Sequence, residues 1–174
     1  KKTPEGLIDE VAEYAKEFRR LGRYVEFMGW DAIRVPADYF EKFFKRFVEK
    51  VDVDRITVAD TFGMAHPLAM FRHIRKLRQW TGNKPIGLHI HNDFGLATGN
   101  SVMAVSAGAD MVHTSVNGIG ERTGNVATEE VVLALQHLCD IDCGVDLSKL
   151  ANVSEIVSEI SKVERARNKA VGGS

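Results

Sequence analysis

Two histidines stand one residue apart in Gly87-Leu-His-Ile-His-Asn-Asp, where an apolar run gives way to a glycine-punctuated polar stretch. Residues i and i+2 of a strand point to the same face, so His89 and His91 project together. Neutral imidazoles at that spacing can share one divalent ion, and Asn92 or Asp93 stands close enough to orient them by hydrogen bonding. The alternative is a pair of core histidines, each needing its own hydrogen-bond partner. Two nitrogens do not complete a metal site, so oxygen donors must come from elsewhere.

One donor is offered by Asn-Gly-Ile-Gly-Glu-Arg-Thr-Gly-Asn, residues 117–125. Gly118, Gly120 and Gly124 let this backbone approach a ligand closely. Glu121 and Arg122 are expected to fix the loop by ion pairs or hydrogen bonds. Asn125 has two readings. It is a metal ligand, or it is the N-cap of the next helix, which has Glu129 in its first turn. Local sequence alone favours the cap. Asp60-Thr61 and Asn117 are further polar residues at the ends of apolar runs.

For these residues to meet, regular elements must carry them. Thr3-Pro4-Glu5 is a helix start, followed at helical spacing by Leu7, Ile8, Val11, Ala12, Ala15 and Phe18 until Gly22. Arg23–Asp31 reads as a strand and Ala37 to Lys50 as a helix, with Phe40, Phe43, Phe44 and Phe47 as its apolar stripe. Strands at Arg55–Asp60, Pro85–His91 and Met111–Asn117 then alternate with helices at Pro67–Trp80, Ala97–Ala107 and Thr128–Leu138. A last helix runs from Ser154 to about Arg165. Strand and helix alternate through four units of about thirty residues, the βαβ rhythm of a parallel sheet.

Four units are half of an eight-unit barrel, whose usual length is about 250 residues. A doubly wound sheet competes, but its Gly-x-Gly-x-x-Gly fingerprint follows none of the strands. Asp60-Thr61, His89-x-His91 and Asn117 each fall at the C-terminal end of a strand, where barrel enzymes build their sites. The expectation is an α/β fold, half of a (β/α)8 TIM barrel with four βα units and a trailing helix.

Composition narrows the function. The 174 residues are 44% hydrophobic and 27% charged, with a net charge of −1. That balance gives no electrostatic case for nucleic acid or an anionic membrane, and no apolar run approaches a membrane span. No signal peptide is read at the start. Cys139 and Cys143 form no zinc or disulfide pattern, so a reducing, cytoplasmic setting is expected.

The segments Asp60–Pro67, His89–Asp110 and Val116–Leu135 together resemble the isopropylmalate, homocitrate and citramalate synthases. This is the acyl-CoA-condensing branch of a metal-dependent TIM-barrel superfamily that includes hydroxymethylglutaryl-CoA lyase. The resemblance covers nearly the whole chain and identifies residues 1–165 as the second, C-terminal half of the barrel. Residues 166–174, with Asn-Lys-Ala-Val-Gly-Gly, resemble the start of a linker toward a downstream subdomain.

The resemblance implies a divalent metal (zinc, magnesium or manganese) at His89 and His91, and it raises the ligand reading of Asn125. It implies that Thr61 binds the carboxylate of a 2-oxo acid, with acetyl-CoA as co-substrate, and that the complete protein is a homodimer. Asp60, Asn92, Asp93, Gly120, Glu121 and Arg122 support the site or its loops, and no side chain is assigned as the base. Glu26, Phe27, Asp31, Ala32 and Arg34 keep the family's pattern after the first strand, whereas Met28 and Trp30 depart from it. Trp30 therefore shapes a substrate pocket or fills the core. The alternatives are a lyase running the reverse cleavage, whose loop cysteine this chain lacks, and a non-catalytic half-barrel. The resemblance also implies that the 174 residues alone are inactive.

Overall fold

The computed structural model describes residues 3–171 and Gly173. Lys1, Lys2, Gly172 and Ser174, at the ends of the expected barrel half and linker, lie outside the described residues. Helix α1 spans Pro4–Arg20 and starts where Thr3 accepts a hydrogen bond from the Gly6 N–H at 3.1 Å, with proline in the first turn. Strands β1 (Glu26–Gly29), β2 (Arg55–Asp60), β3 (Ile86–Ile90) and β4 (Met111–His113) alternate with α2 (Ala37–Lys50), α3 (Pro67–Thr81), α4 (Ala97–Ala107) and α5 (Thr128–Cys139). Helix α6 spans Leu150–Ser161. Among the described residues no helix is long and apolar enough to cross a membrane.

The four strands are parallel and lie in the order β1-β2-β3-β4. Every crossover steps in the same direction, and right-handed crossovers then lay α2, α3 and α4 on one face of the sheet. That face is apolar. Ile56, Val58, Ile86, Leu88 and Ile90 from the strands pack with Phe40, Phe44, Phe47, Met70, Ile74 and Leu77 from the helices. Burying a phenylalanine such as Phe47, which is fully enclosed, stabilises the fold by about 1.5–3 kcal/mol.

The opposite face follows the strands' period of two. Glu26 and Met28, Arg55, Thr57 and Ala59, Gly87 and His89, and Met111 and His113 share it by register. It is the polar side of the sheet.

Four expected elements differ. Strand β1 covers only Glu26–Gly29 of the expected Arg23–Asp31, because the Val25 N–H is taken by the Asp54 carboxylate and Asp31 turns in a left-handed conformation. Strand β4 ends at His113, because the chain closes a 3-10 turn at Val116–Gly118 in which Asn117 has φ 62°. The trailing helix is shifted toward the N-terminus of the chain. Asp146 accepts from Ser148 N–H and starts a short turn at Leu147–Lys149 that feeds directly into α6, and Lys162 in a left-handed conformation ends it. On α1, Ile8, Ala12 and Ala15 are buried while Leu7 and Phe18 are exposed.

Candidate active site

The carboxyl ends of β2 and β3 and the 117–125 loop meet on the polar side of the sheet. His89 lies on β3, and His91 stands just past its end with 6% exposure. Their ring centroids are 5.3 Å apart, edge to face, and His113 presents its ring 5.6 Å from that of His89. Burial pushes the His89 pKa below the ordinary histidine value, and the neighbouring His91 and His113 push it the same way. A neutral imidazole is the ligating form.

Asn125 is delivered to the same place by backbone pairing. His91 and Asn125 form an antiparallel bridge, the Asn92 N–H donates to Gly124 O at 3.0 Å, and the Val126 N–H donates to Ile90 O at 3.2 Å. Residues 124–126 therefore prolong the sheet beside β3. Helix α5 starts later, with Ala127 as its N-cap, so Asn125 does not cap it. The tight return of the loop needs glycine at two positions. A Cβ on Gly124, which has φ +91°, would drive into the Gly118 carbonyl, and one on Gly120 would sit 2.5 Å from the Asn125 amide nitrogen.

Nδ1 of His89, Nδ1 of His91 and Oδ1 of Asn125 are each buried without a hydrogen-bond partner. Buried polar atoms are nearly always paired, so three orphans on adjoining residues call for a bound group. Imidazole nitrogens and an amide oxygen are donors for a borderline divalent cation. Among the described residues no group of three or more His, Cys, Asp and Glu side chains gathers for an ion. Two imidazoles and one amide oxygen are what these residues offer.

Arg122 ties three loops together. In a left-handed conformation at φ 56°, it donates to both Asp93 oxygens, at 2.7 and 2.9 Å, and to Thr61 O at 2.6 Å. Its hydrogen bonds hold the Asp93 carboxyl below the usual range despite some burial. Glu121 adds a looser contact to Arg122 at 3.7 Å and is exposed. Asn92 accepts from the Ala97 N–H at 3.1 Å at the start of α4. Asn92 and Asp93 are thus occupied in the loops, and neither hydrogen-bonds either histidine.

Asp60 accepts from the Met64 and Ala65 N–H groups at 3.0 Å each, which closes the turn after β2. Its burial raises its pKa although those two bonds oppose the rise. The Thr61 hydroxyl accepts from Asp31 N–H at 2.8 Å, which leaves its own proton free to be donated. Trp30 is 73% exposed among the described residues and meets Phe62 edge to face. It borders an apolar hollow of about 370 Å³ with Phe27, Met28 and Tyr39. Asn117 is directed elsewhere, donating to Ser154 O at 2.8 Å.

A polar cluster beneath the histidines was not among the expected site residues. Glu26 accepts from Thr57 and pairs with Arg55 at 2.7 Å, and His113 Nε2 lies 3.6 Å from its other side. Burial raises the Glu26 pKa, but the bonds from Thr57 and Arg55 outweigh it and hold the carboxyl ionised. The period-two spacing of Glu26-x-Met28, Arg55-x-Thr57 and Met111-x-His113 carried the signal, since it puts them on one face with His89.

A family profile described as HMGL-like matches residues 1–157. Homocitrate synthase AksA of Methanopyrus kandleri is 43% identical over 166 residues, covering 95% of this chain and 41% of that protein. A putative (R)-citramalate synthase CimA of Archaeoglobus fulgidus is 42% identical, over 94% of this chain and 32% of that one. A 2-isopropylmalate synthase of Methanocaldococcus jannaschii is 39% identical, over 99% and 33%. The chain spans less than half the length of these relatives. Among solved structures, HMG-CoA lyase of Bacillus subtilis superposes with a TM-score of 0.76 at 22% identity, over 92% of this chain and 57% of that one. The carboxyl transferase domain of Rhizobium etli pyruvate carboxylase gives 0.76 at 22%, over 88% and 27%. These two show a shared fold.

Proposed function

This chain belongs to the HMGL-like family, and from that premise we propose that it is the second half of a TIM-barrel synthase condensing acetyl-CoA with a 2-oxo acid. The relatives named as homocitrate, citramalate and isopropylmalate synthases support the reaction class. The sequential strand order and the helical layer over the crossovers support the half-barrel. The observation that carries the site is the orphaned trio of acceptors on His89, His91 and Asn125.

These three residues would hold the divalent metal, which when bound supplies Lewis acidity toward the keto oxygen of the 2-oxo acid. Thr61 donates its free hydroxyl proton to the acid's carboxylate, held in place by Asp31 N–H and by Arg122 on its carbonyl. Met28 and Trp30, the two departures from the family's pattern after the first strand, would set which acid enters. In the reaction a base takes a proton from the acetyl methyl group and the new carbanion adds to the keto carbon. Water then cleaves the thioester, releasing coenzyme A and a 2-hydroxy alkylmalate-type product.

The test uses the full-length protein. Zinc and manganese content is measured for the wild type and for His89→Ala, His91→Ala and Asn125→Ala. Each histidine variant should lose the metal, and Asn125→Ala should weaken it about 10–100-fold. Turnover is followed by free coenzyme A from acetyl-CoA with 2-oxoisovalerate, 2-oxoglutarate or pyruvate, beside cleavage of hydroxymethylglutaryl-CoA. Normal metal content in both histidine variants would make the pair structural. Cleavage without condensation would replace the synthase by a lyase.

A further inference from the structure

Away from the histidines, one buried charge has a role that the proposed reaction leaves unexplained. Glu129, in the first turn of α5, is 2% exposed. Its Oε1 lies 2.7 Å from Lys169 Nζ, and Lys169 also reaches Glu130 at 3.1 Å. The other Glu129 oxygen accepts from the Asn117 N–H at 3.1 Å. Lys169 belongs to the segment after α6, so that segment is fastened to the first residue of the 117–125 loop.

The connection continues into the site. Asn117 holds a left-handed conformation that a side chain seldom adopts unsupported, and its amide exchanges hydrogen bonds with Ser154. Arg165, from the same segment as Lys169, donates to the Ser154 hydroxyl at 3.2 Å. The next residue, Gly118, accepts from the Asn125 N–H at 3.1 Å through its carbonyl. From Lys169 to the Asn125 backbone the path is therefore Glu129, Asn117 and Gly118, with no gap wider than a hydrogen bond.

A carboxylate this enclosed is tolerated only while a partner charge neutralises it. Without Lys169 the enclosed Glu129 carboxylate has lost its partner charge and must move or draw in water, which releases its hold on Asn117. We propose that Lys169 is a positioning residue for Asn125: by neutralising Glu129 it locks the 117–125 loop in the conformation that presents the Asn125 oxygen beside His91. The inference rests on the reading of His89, His91 and Asn125 as the metal site. It also implies that a pull on the segment carrying Lys169 is felt at the metal.

The test compares full-length wild type with Lys169→Met and Lys169→Arg in three measurements. They are zinc and manganese binding by equilibrium dialysis, amide exchange of residues 117–125 against β2 and β3, and thermal midpoint. Lys169→Met should raise the metal Kd about tenfold and speed exchange in 117–125 while the strand amides keep their protection, and Lys169→Arg should restore both. Wild-type binding with an unchanged Kd in Lys169→Met overturns the positioning role and leaves the metal site standing. A wild type that binds no metal overturns the site, and exchange then decides the loop separately, unaltered 117–125 amides sinking the latch. Uniformly faster exchange with a lowered midpoint that Lys169→Arg does not repair would reduce Lys169 to general stability and also overturn the proposal.

Discussion

Asn125 reaches the histidines only because Gly120 leaves room for its amide. Gly120→Ala places a methyl 2.5 Å from Asn125 Nδ2 and 3.0 Å from its backbone nitrogen. Because Gly120 carries no positive φ requirement, the variant is expected to cost little in thermal midpoint while raising the metal Kd about 10–100-fold by dialysis. Gly124→Ala should instead lower the midpoint by several degrees, because both its φ and the Gly118 carbonyl oppose a side chain. The paired histidines are legible in the sequence because a period of two leaves no freedom about which face they share. Asn125 is not: capping and ligating asparagines look alike locally, and it takes the structure, with Ala127 at the cap of α5, to remove the capping reading. Glu129 is hidden for a similar reason. An acidic residue in a helix's first turn is ordinary at the surface, and its partner lies 40 residues away in a segment with no regular structure.

Helix α2 is bound to α3 by Glu41, which pairs with Lys45 on its own helix at 2.7 Å and with Lys76 across the gap at 3.0 Å. These two cations hold the Glu41 pKa down at about 2 against an ordinary 4.5. A carboxylate depressed on folding contributes stability above its unfolded pKa and loses it as pH falls through the folded one. The difference in thermal midpoint between wild type and Glu41→Gln should therefore be constant from neutral pH to about 5 and vanish near 2. A gap that persists at pH 2 would assign the effect to packing instead. Helices α2 and α4 fall where the sequence places them, α2 on its phenylalanine stripe and α4 stopped by the left-handed Gly108. The trailing helix does not, since Ser154 suggests a cap in sequence whereas the start is set four residues earlier by the turn that Asp146 closes. Phe47→Ala should destabilise α2 packing by about 3–5 kcal/mol in chemical denaturation, as for other buried aromatics cut to alanine.

Among the described residues the sheet ends in two edge strands, β1 and β4, each paired on one side only. Exposed parallel edges recruit other strands, and here the β1 side also displays Tyr24, Met28 and Trp30. The 174-residue chain alone is expected to self-associate with rising concentration in sedimentation velocity and to release no coenzyme A from acetyl-CoA and a 2-oxo acid. A monomer that turns over would show that these 174 residues suffice. The order of the strands also has a meaning in time. Each strand bonds to the one made just before it, through closures such as Val25 to Asp54 and Ile86 to Asp110 that span 29 and 24 residues. Among the described residues each strand's partner is the one adjacent in chain order. The sheet can grow at the ribosome one βα unit at a time, each new strand docking onto an edge that already exists, with the histidine pair in place before the loop carrying Asn125 emerges.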